Sequence, residues 1–186
     1  MLEVKKAALL GYGIMSFADL NDMGRGLEIE LKNFNCRTPT TAQINALIAA
    51  VGGDPKDLSK EPKHLNRFSP DHAMFMVLKP AYLDITTLCK DPFSPEFQQV
   101  RWKGEARSST TADLAYLVNG NTRRELCLRF GEDAISKLNA IKKKITDSKE
   151  NDAAYQQLIK QRAEAMVQVR RKTSWIVAFF DQGEDL

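Results

Sequence analysis

The chain has 186 residues, of which 43% are hydrophobic and 27% charged, and its formal net charge is +3. This length allows one domain, or one domain with an appended helical piece, and the apolar fraction excludes wholesale disorder. Residues 119–172 carry 13 Lys and Arg against 7 Asp and Glu. The rest of the chain carries the other 14 of the 27 Lys and Arg and the other 17 of the 24 Asp and Glu. A basic second half is a modest indication of contact with anions or nucleic acid.

Cysteine and histidine usage argues against a metal site. Cys36, Cys89 and Cys127 share no short spacing, and His64 and His72 are the only imidazoles, so we expect no zinc site. Scattered cysteines are typical of a reducing compartment, which predicts an intracellular protein of the cytoplasm or nucleus. No apolar run approaches the roughly 18 residues of a membrane span, so we expect no membrane association.

The first part of the chain predicts a loose start, a strand and a helix. Residues 1–26 hold four glycines and no sustained period, and we interpret them as a loosely attached segment or a short helix. Residues 27–32 alternate apolar and charged side chains, which predicts a half-buried strand that ends within 33–37. Thr40 and Gln43 then have the spacing of a capping box, and the helix they open is expected to stop at the glycine pair 52–53.

The middle of the chain is dominated by loops around one apolar strand. Residues 54–72 are polar with three prolines and predict a surface loop. The apolar run 73–85 predicts a buried strand, broken by Pro80, and the proline-rich run 89–97 predicts another loop. Val100 and Trp102 are compatible with a short edge strand.

The last third predicts a strand, helices and a final strand. Residues 114–118 predict a strand, 131–148 and 152–172 predict two helices, and 174–181 predict an apolar strand rich in β-branched and aromatic residues. The element order predicts an α/β or α+β fold, with a small mixed sheet and flanking helices. The C-terminal helical pair and strand are added to that sheet.

The stretch 116–130, YLVNGNTRRELCLRF, admits two structures. Asn119-Gly120 between apolar residues is the strongest short-range signal for a β-hairpin. The run 123–130 instead suits a helix by propensity, with Asn121 or Thr122 as N-cap and Glu125 in the first turn. Local rules leave the two at near parity.

A family resemblance favours the helix. YLVNGNTRRE resembles the strand, Gly, polar or basic residues, Arg and helix of the ParB/sulfiredoxin superfamily, including its large fungal versions. LEIELKNFNCRTPTTAQINALIAAVGG resembles the family's first strand, its Asn-x-x-Arg-like exit and its Gly-terminated helix. The resemblance covers about residues 27–130. It implies a domain over 27–186 with a helical C-terminal extension, preceded by the segment 1–26.

The resemblance also implies a phosphate site. In the family this turn contacts nucleotide phosphates, so a nucleotide, with Mg²⁺ as a companion ion, is the expected ligand. A helix start offers unpaired N–H groups, and an arginine adds a bidentate donor. By resemblance, the expected ligand-binding residues are Gly120, Asn121, Thr122, Arg123, Arg124, Asn35 and Arg37.

The same comparison bears on catalysis. Sulfiredoxins place their catalytic cysteine directly after the glycine, where this chain has Asn121, so we expect no sulfinic-acid reductase activity. ParB-type CTP hydrolases share only one arginine with this turn, so nucleotide hydrolysis stays an open alternative that no residue supports.

Two other classes stay open. In the first, the chain is a non-catalytic DNA-associated or protein-interaction module that uses the basic runs Lys142–Lys144 and Arg170–Lys172. In the second, it is a piece of a longer protein that keeps the fold and has lost the activity.

Overall fold

The fold is a small mixed β-sheet packed against helices. The computed structural model describes residues 8–18, 32–33, 39–58, 62, 64–94, 96–103, 115–148 and 153–183. Its strands are β1 (Leu9–Ser16), β2 (Lys32–Asn33), β3 (Met74–Leu78), β4 (Ala115–Leu117) and β5 (Ser174–Asp181). Its helices are α1 (Thr41–Ala50), α2 (Asn121–Thr146) and α3 (Ala153–Thr173). The predicted α+β class is confirmed.

The sheet has the strand order β1-β5-β3-β4-β2. β5 lies antiparallel to β1 and parallel to β3, whereas β4 lies antiparallel to β3 and parallel to β2. The two parallel contacts join strands that are distant in sequence, since a parallel neighbour needs a crossover connection. For β3 and β5 that connection runs through β4 and both long helices, which places the start of α2 beside the central strands.

The core lies between the central strands and the first half of α2. Three side chains of β3 are fully buried, as are those of the run Trp175–Phe179 in β5, and α2 packs Leu126, Cys127 and Phe130 against them. A second cluster joins the two long helices through Ala134, Leu138 and Val169. These contacts make α2 and α3 an antiparallel hairpin with its base at the sheet.

Helix α1 forms as its sequence predicts. The Thr40 side chain accepts a hydrogen bond from the Gln43 amide at 3.2 Å, and the Gln43 carboxamide accepts one from the Thr40 amide at 2.9 Å. This reciprocal pair satisfies two amides that the helix leaves open. The helix ends before Gly52, which has a φ of 75°. The predicted capping box and the predicted stop are confirmed.

The start of the chain corrects one prediction. Residues 9–16, expected in a loosely attached segment or a short helix, form strand β1 along the edge of the sheet. On the side away from β5, the amides of Tyr12 and Ile14 donate hydrogen bonds to the carbonyls of Cys89 and Gln98. The Met15 side chain is buried. Strand pairing overrides the poor strand propensity of Gly11 and Gly13.

Two further predictions lie partly outside the described residues. Of the strand predicted over 27–32 and its exit, only Lys32–Asn33 is described, and it pairs with β4. The boundary proposed at residue 26 also lies outside. Val100 and Trp102 belong to an irregular segment that makes isolated bridges, Ile14 with Gln99 and Leu83 with Trp102.

The helix predicted over 131–148 and the helix predicted to open after Gly120 are one element. Residues 121–146 form one continuous helix, which runs through Gly131 without interruption. A Cβ atom at Gly131 would overlap the γ-methyl group of Thr173. Gly131 therefore lets the end of α3 approach α2 closely at the base of the hairpin.

Candidate functional site

The turn between β4 and α2 is a strand-to-helix turn. β4 ends at Leu117, Gly120 adopts a left-handed conformation with φ 96° and ψ 15°, and α2 begins at Asn121. The hairpin alternative for this stretch is therefore wrong, and the helix alternative is confirmed. Both alternatives use a glycine at positive φ, so the local sequence could not separate them.

Asn119 holds the turn in place by extending the strand pairing with its side chain. The Val118 amide donates to the Phe75 carbonyl at 2.8 Å, and the Phe75 amide donates to Asn119 Oδ1 at 2.8 Å. The side-chain oxygen thus takes the place of the next backbone carbonyl, and the main chain is released to turn. Gly120 lies against Met74, whose side chain a Cβ atom at Gly120 would overlap.

The first turn of α2 presents three backbone amides. The first helical hydrogen bond runs from the Arg124 amide to the Gly120 carbonyl at 2.8 Å, so the amides of residues 121–123 precede the helical ladder. No acidic residue lies in this first turn. The N-cap is Gly120, one residue before Asn121 and two before Thr122, the two predicted caps, and this places Glu125 in the second turn rather than the first.

Arg123 has a structural contact at the turn. Its Nη1 atom lies 3.2 Å from the His72 carbonyl oxygen and 3.4 Å from that of Ala73. The His72 carbonyl also accepts a hydrogen bond from Trp175 Nε1 at 2.9 Å. Arg123 therefore fastens the start of α2 to the turn that precedes β3. Its Nη2 and Nε atoms make no hydrogen bond with other described residues, and its side chain is partly exposed.

The residues on either side of Arg123 make weaker contacts than Arg123 does. Arg124 Nη1 lies 3.8 Å from Glu125 Oε1, at the long end of a salt bridge, and both side chains are partly exposed. Such a pair is a weak contact. Thr122 is partly exposed, and the side chain of Asn121 lies outside the described residues.

Asn35 and Arg37, the two remaining predicted site residues, lie outside the described residues. The strand before them is placed: Asn33 of β2 pairs with Leu117 in a parallel register. The chain therefore leaves β2 at the sheet edge where β4 leads into Gly120. Their approach to the turn stays a prediction.

Sequence reasoning missed a second feature, a cleft at the base of the helical hairpin. It has a volume of about 180 Å³ and is lined by Leu58, Leu65, Arg67, Phe130, Gln168, Arg171 and Lys172. The run 54–72 had been interpreted as a surface loop, yet Arg67 within it is 6% exposed. The basic run 170–172 was the only signal in the sequence that could have pointed to this cleft.

Among the described residues, no group of three His, Cys, Asp or Glu side chains is arranged to hold a metal ion. None of the described helices is both long enough and apolar enough to cross a bilayer. No protein-family model matches the sequence, and searches of curated proteins and of solved structures gave no significant match. The ParB/sulfiredoxin-like resemblance therefore rests on the residues quoted for it and stays a hypothesis.

Proposed function

We propose that this chain is a ParB/sulfiredoxin-like domain that binds a phosphate-bearing ligand, a nucleotide, at the turn between β4 and α2. The observation that carries the proposal is the start of α2: a left-handed Gly120, three amides ahead of the first helical hydrogen bond, and no acidic side chain in the first turn. Amides at a helix N-terminus, reinforced by the helix dipole, favour a phosphate group.

The two arginines support the same ligand. Arg123 uses Nη1 for the carbonyls of His72 and Ala73, and this contact fixes the guanidinium beside the helix start. Nη2 and Nε are then the donors that a phosphate oxygen would meet. Arg124 would release a weak surface contact with Glu125 to join them. A pre-positioned arginine loses less conformational freedom on binding than a mobile one.

Packing offers a competing account of the same residues. The left-handed φ at position 120 and the close contact with Met74 both favour glycine there. The carbonyls of residues 72 and 73 accept hydrogen bonds from Arg123, which gives this arginine a structural role. A purely structural turn would need nothing more. Binding and stability must therefore be measured separately for each variant.

Isothermal titration calorimetry with CTP, ATP and GTP, each with and without Mg²⁺, tests the proposal. We expect one nucleotide to bind the wild-type chain and Arg123→Gln to weaken that binding by about 1.5–3 kcal/mol, the value of a hydrogen bond to a charged group. Arg162→Gln is the matched control, since Arg162 is an exposed arginine on α3. Thermal unfolding of each variant reports whether the fold is intact.

The proposal fails if no nucleotide binds, or if the Arg123 and Arg162 variants of intact fold bind equally well. Asn121 and the absence of a cysteine after Gly120 argue against sulfinic-acid reduction by this turn. The Mg²⁺ arms of the titration decide whether the companion ion contributes to binding.

The charge of the helical hairpin supports a second candidate, a DNA-associated or protein-interaction module. Counted from the sequence, α2 and α3 together hold twelve Lys and Arg against four Asp and Glu. The exposed cations Lys143 and Lys144 lie at the end of the hairpin away from the sheet, and Lys160 and Arg162 are exposed on α3. A cationic projection of this kind is suited to a phosphate backbone.

Fluorescence anisotropy with a duplex oligonucleotide distinguishes this candidate. A contact with the phosphate backbone weakens steeply as salt is raised, because bound counterions are released. Lys143→Gln/Lys144→Gln should reduce both the affinity and its salt dependence, whereas Arg123→Gln should leave them nearly unchanged. If no duplex binds, only the protein-interaction form of this second candidate stands.

A further inference from the structure

The cleft at the base of the helical hairpin combines an apolar floor with a cationic rim. Leu58 and Leu65 are partly buried, and Phe130 of α2 is 7% exposed. On the opposite side, α3 contributes Gln168, Arg171 and Lys172, which are spaced three and four residues apart. Residues at that spacing lie on one face of a helix.

Arg67 occupies the inner end of the cleft and serves the end of α3. Its Nη1 atom donates to the carbonyls of Arg171 at 2.9 Å, Lys172 at 2.8 Å and Ser174 at 3.3 Å. The carbonyls of Arg171 and Lys172 are among those that a helix C-terminus leaves open, and that of Ser174 begins β5; a cation there also complements the helix dipole. The end of α3 is thus already neutralised by a buried arginine.

Arg67 therefore supplies a cation at the helix end besides the side chains of Arg171 and Lys172, which also lie in the last turn of α3. Neither makes an ion pair or a side-chain hydrogen bond with another described residue, and Lys172 is partly buried while Arg171 is exposed. None of the described lining residues is acidic. Two cations beside an apolar surface, with no carboxylate among the described lining residues, form a place where an anion would be stabilised.

We propose that this cleft binds a small organic anion, in which one carboxylate or phosphate group is attached to a flat apolar body. The anionic group would meet Arg171 and Lys172, and the apolar body would lie against Phe130 and the two leucines. A volume of about 180 Å³ is below the roughly 300 Å³ of a drug-sized pocket. The cleft therefore suits a ligand of about one ring rather than a whole nucleotide.

This site is separate from the turn at Gly120. Phe130 lies nine residues after Asn121 on the same helix, which corresponds to about 14 Å along the axis. The two proposals can therefore succeed or fail independently, because backbone amides at the two places report on different ligands.

Nitrogen-15 NMR titration of the full chain with four probes tests the inference. Benzoate and phenyl phosphate carry both a ring and a charge, benzyl alcohol lacks the charge, and inorganic phosphate lacks the ring. We expect the two ring-bearing anions to shift the amides of Leu65, Gln168 and Lys172 in a saturable way. The affinities of benzyl alcohol and inorganic phosphate should be lower than those of the ring-bearing anions by a factor of about ten or more.

Matched variants separate a local site from a general charge effect. Arg171→Gln/Lys172→Gln should weaken benzoate binding by roughly tenfold or more. Lys160→Gln/Arg162→Gln removes the same charge from exposed positions earlier in α3 and should leave the affinity unchanged. Gln168→Glu, at an exposed rim position, adds a carboxylate and should also weaken binding, which keeps the test valid if the double variant does not fold.

Five outcomes would overturn the inference, and the first four concern the probes and the variants. They are no saturable shift with either ring-bearing anion, equal binding of benzyl alcohol and benzoate, equal binding of inorganic and phenyl phosphate, and equal loss in the two double variants. Shifts confined to residues 119–124 would also overturn it, since they would assign the anion to the turn instead.

Discussion

Two arginines in this protein donate to backbone carbonyls at the junction of a helix with the sheet, and they differ mainly in burial. Arg67 is 6% exposed and its Nη1 atom meets three carbonyls at the end of α3. Arg123 is partly exposed and its Nη1 atom meets two carbonyls, at longer distances, beside the start of α2. The same kind of contact therefore occurs in a closed and in an open setting.

The difference indicates which arginine has capacity left for a ligand. A buried guanidinium that serves several carbonyls cannot move without leaving polar groups unpaired, and this has a large energetic cost. A partly exposed guanidinium that uses one nitrogen can add a further partner at little cost. We therefore assign Arg67 to stability, whereas Arg123 has donors left for the proposed ligand in addition to its structural contact.

The largest expected effect is at Arg67. Arg67→Met should lower the free energy of unfolding by about 3 kcal/mol, because the carbonyls of Arg171, Lys172 and Ser174 lose a charged donor in a buried place. Arg123→Met should cost only about 1 kcal/mol, since water can reach the carbonyls that it leaves. Urea unfolding measures both. Equal losses in the two variants would contradict the distinction drawn between them.

Gly120→Ala comes next and tests the turn itself. The left-handed φ costs an alanine about 1–2 kcal/mol, and the overlap with Met74 adds a packing penalty of similar size. Gly52→Ala is the control: its φ is also positive, but its nearest neighbour is the side chain of exposed His64 at 2.9 Å, which can shift. We expect Gly120→Ala to be the more destabilising in thermal unfolding, and the reverse order would contradict the packing described here.

A third prediction concerns the close approach of α2 and α3. Gly131→Ala improves helix propensity by about 1 kcal/mol, yet its new methyl group would overlap that of Thr173, so we expect a net loss of about 1–2 kcal/mol. Thr173→Ser removes that γ-methyl group and keeps the hydroxyl that bonds Ser16 and the Val169 carbonyl. A double-mutant cycle in urea should show recovery in the double variant. Strict additivity would contradict the contact.

The smallest expected effect is at Asp84, a partly exposed residue in the loop that follows β3. The hydroxyl and then the amide of Thr86 donate to this carboxylate, and with Lys103 and Arg101 they hold the pKa of Asp84 below its ordinary value of 3.8. A lowered folded pKa stabilises the protein above the ordinary value, and that contribution disappears as the pH falls through the folded pKa. Carbon-13 NMR titration should show the low pKa, and Thr86→Val should raise it. An unchanged pKa in the variant would refute this cause.

Local signals in the sequence predicted the elements whose causes are local. Helix α1 follows from the side chains of Thr40 and Gln43, which bond each other's amides. Strands β3 and β5 follow from short apolar runs, and Pro80 comes shortly after the first of them. The helix after Gly120 needed the family resemblance as well, because an Asn-Gly pair is equally suited to a hairpin.

What the sequence could not predict depends on contacts between distant segments. Strand β1 contains Gly11 and Gly13, which are poor strand formers, and these glycines leave room for Leu88 and Val100 of a segment distant in sequence. Arg67 lies in a polar, proline-rich run, and only its contact with the end of α3 explains its burial. Neither feature has a periodic signature, because each depends on a segment far away in the chain.

The turn was predicted as a helix start, but its details depend on the fold. The role of Asn119 in extending the pairing with Phe75, and the use of Arg123 to fasten residues 72–73, require β3 to lie beside β4. Sequence reasoning therefore located the candidate site without showing that its glycine and its arginine also have structural roles.

The most direct test of the central proposal is a nitrogen-15 NMR titration of the full chain with the nucleotide that binds best by calorimetry. We expect the largest shifts at the amides of Asn121, Thr122 and Arg123, together with a new contact at the Arg123 guanidinium, all weakened in Arg123→Gln. Shifts confined to the helical hairpin, or none at any soluble nucleotide concentration, would contradict phosphate binding at the start of α2.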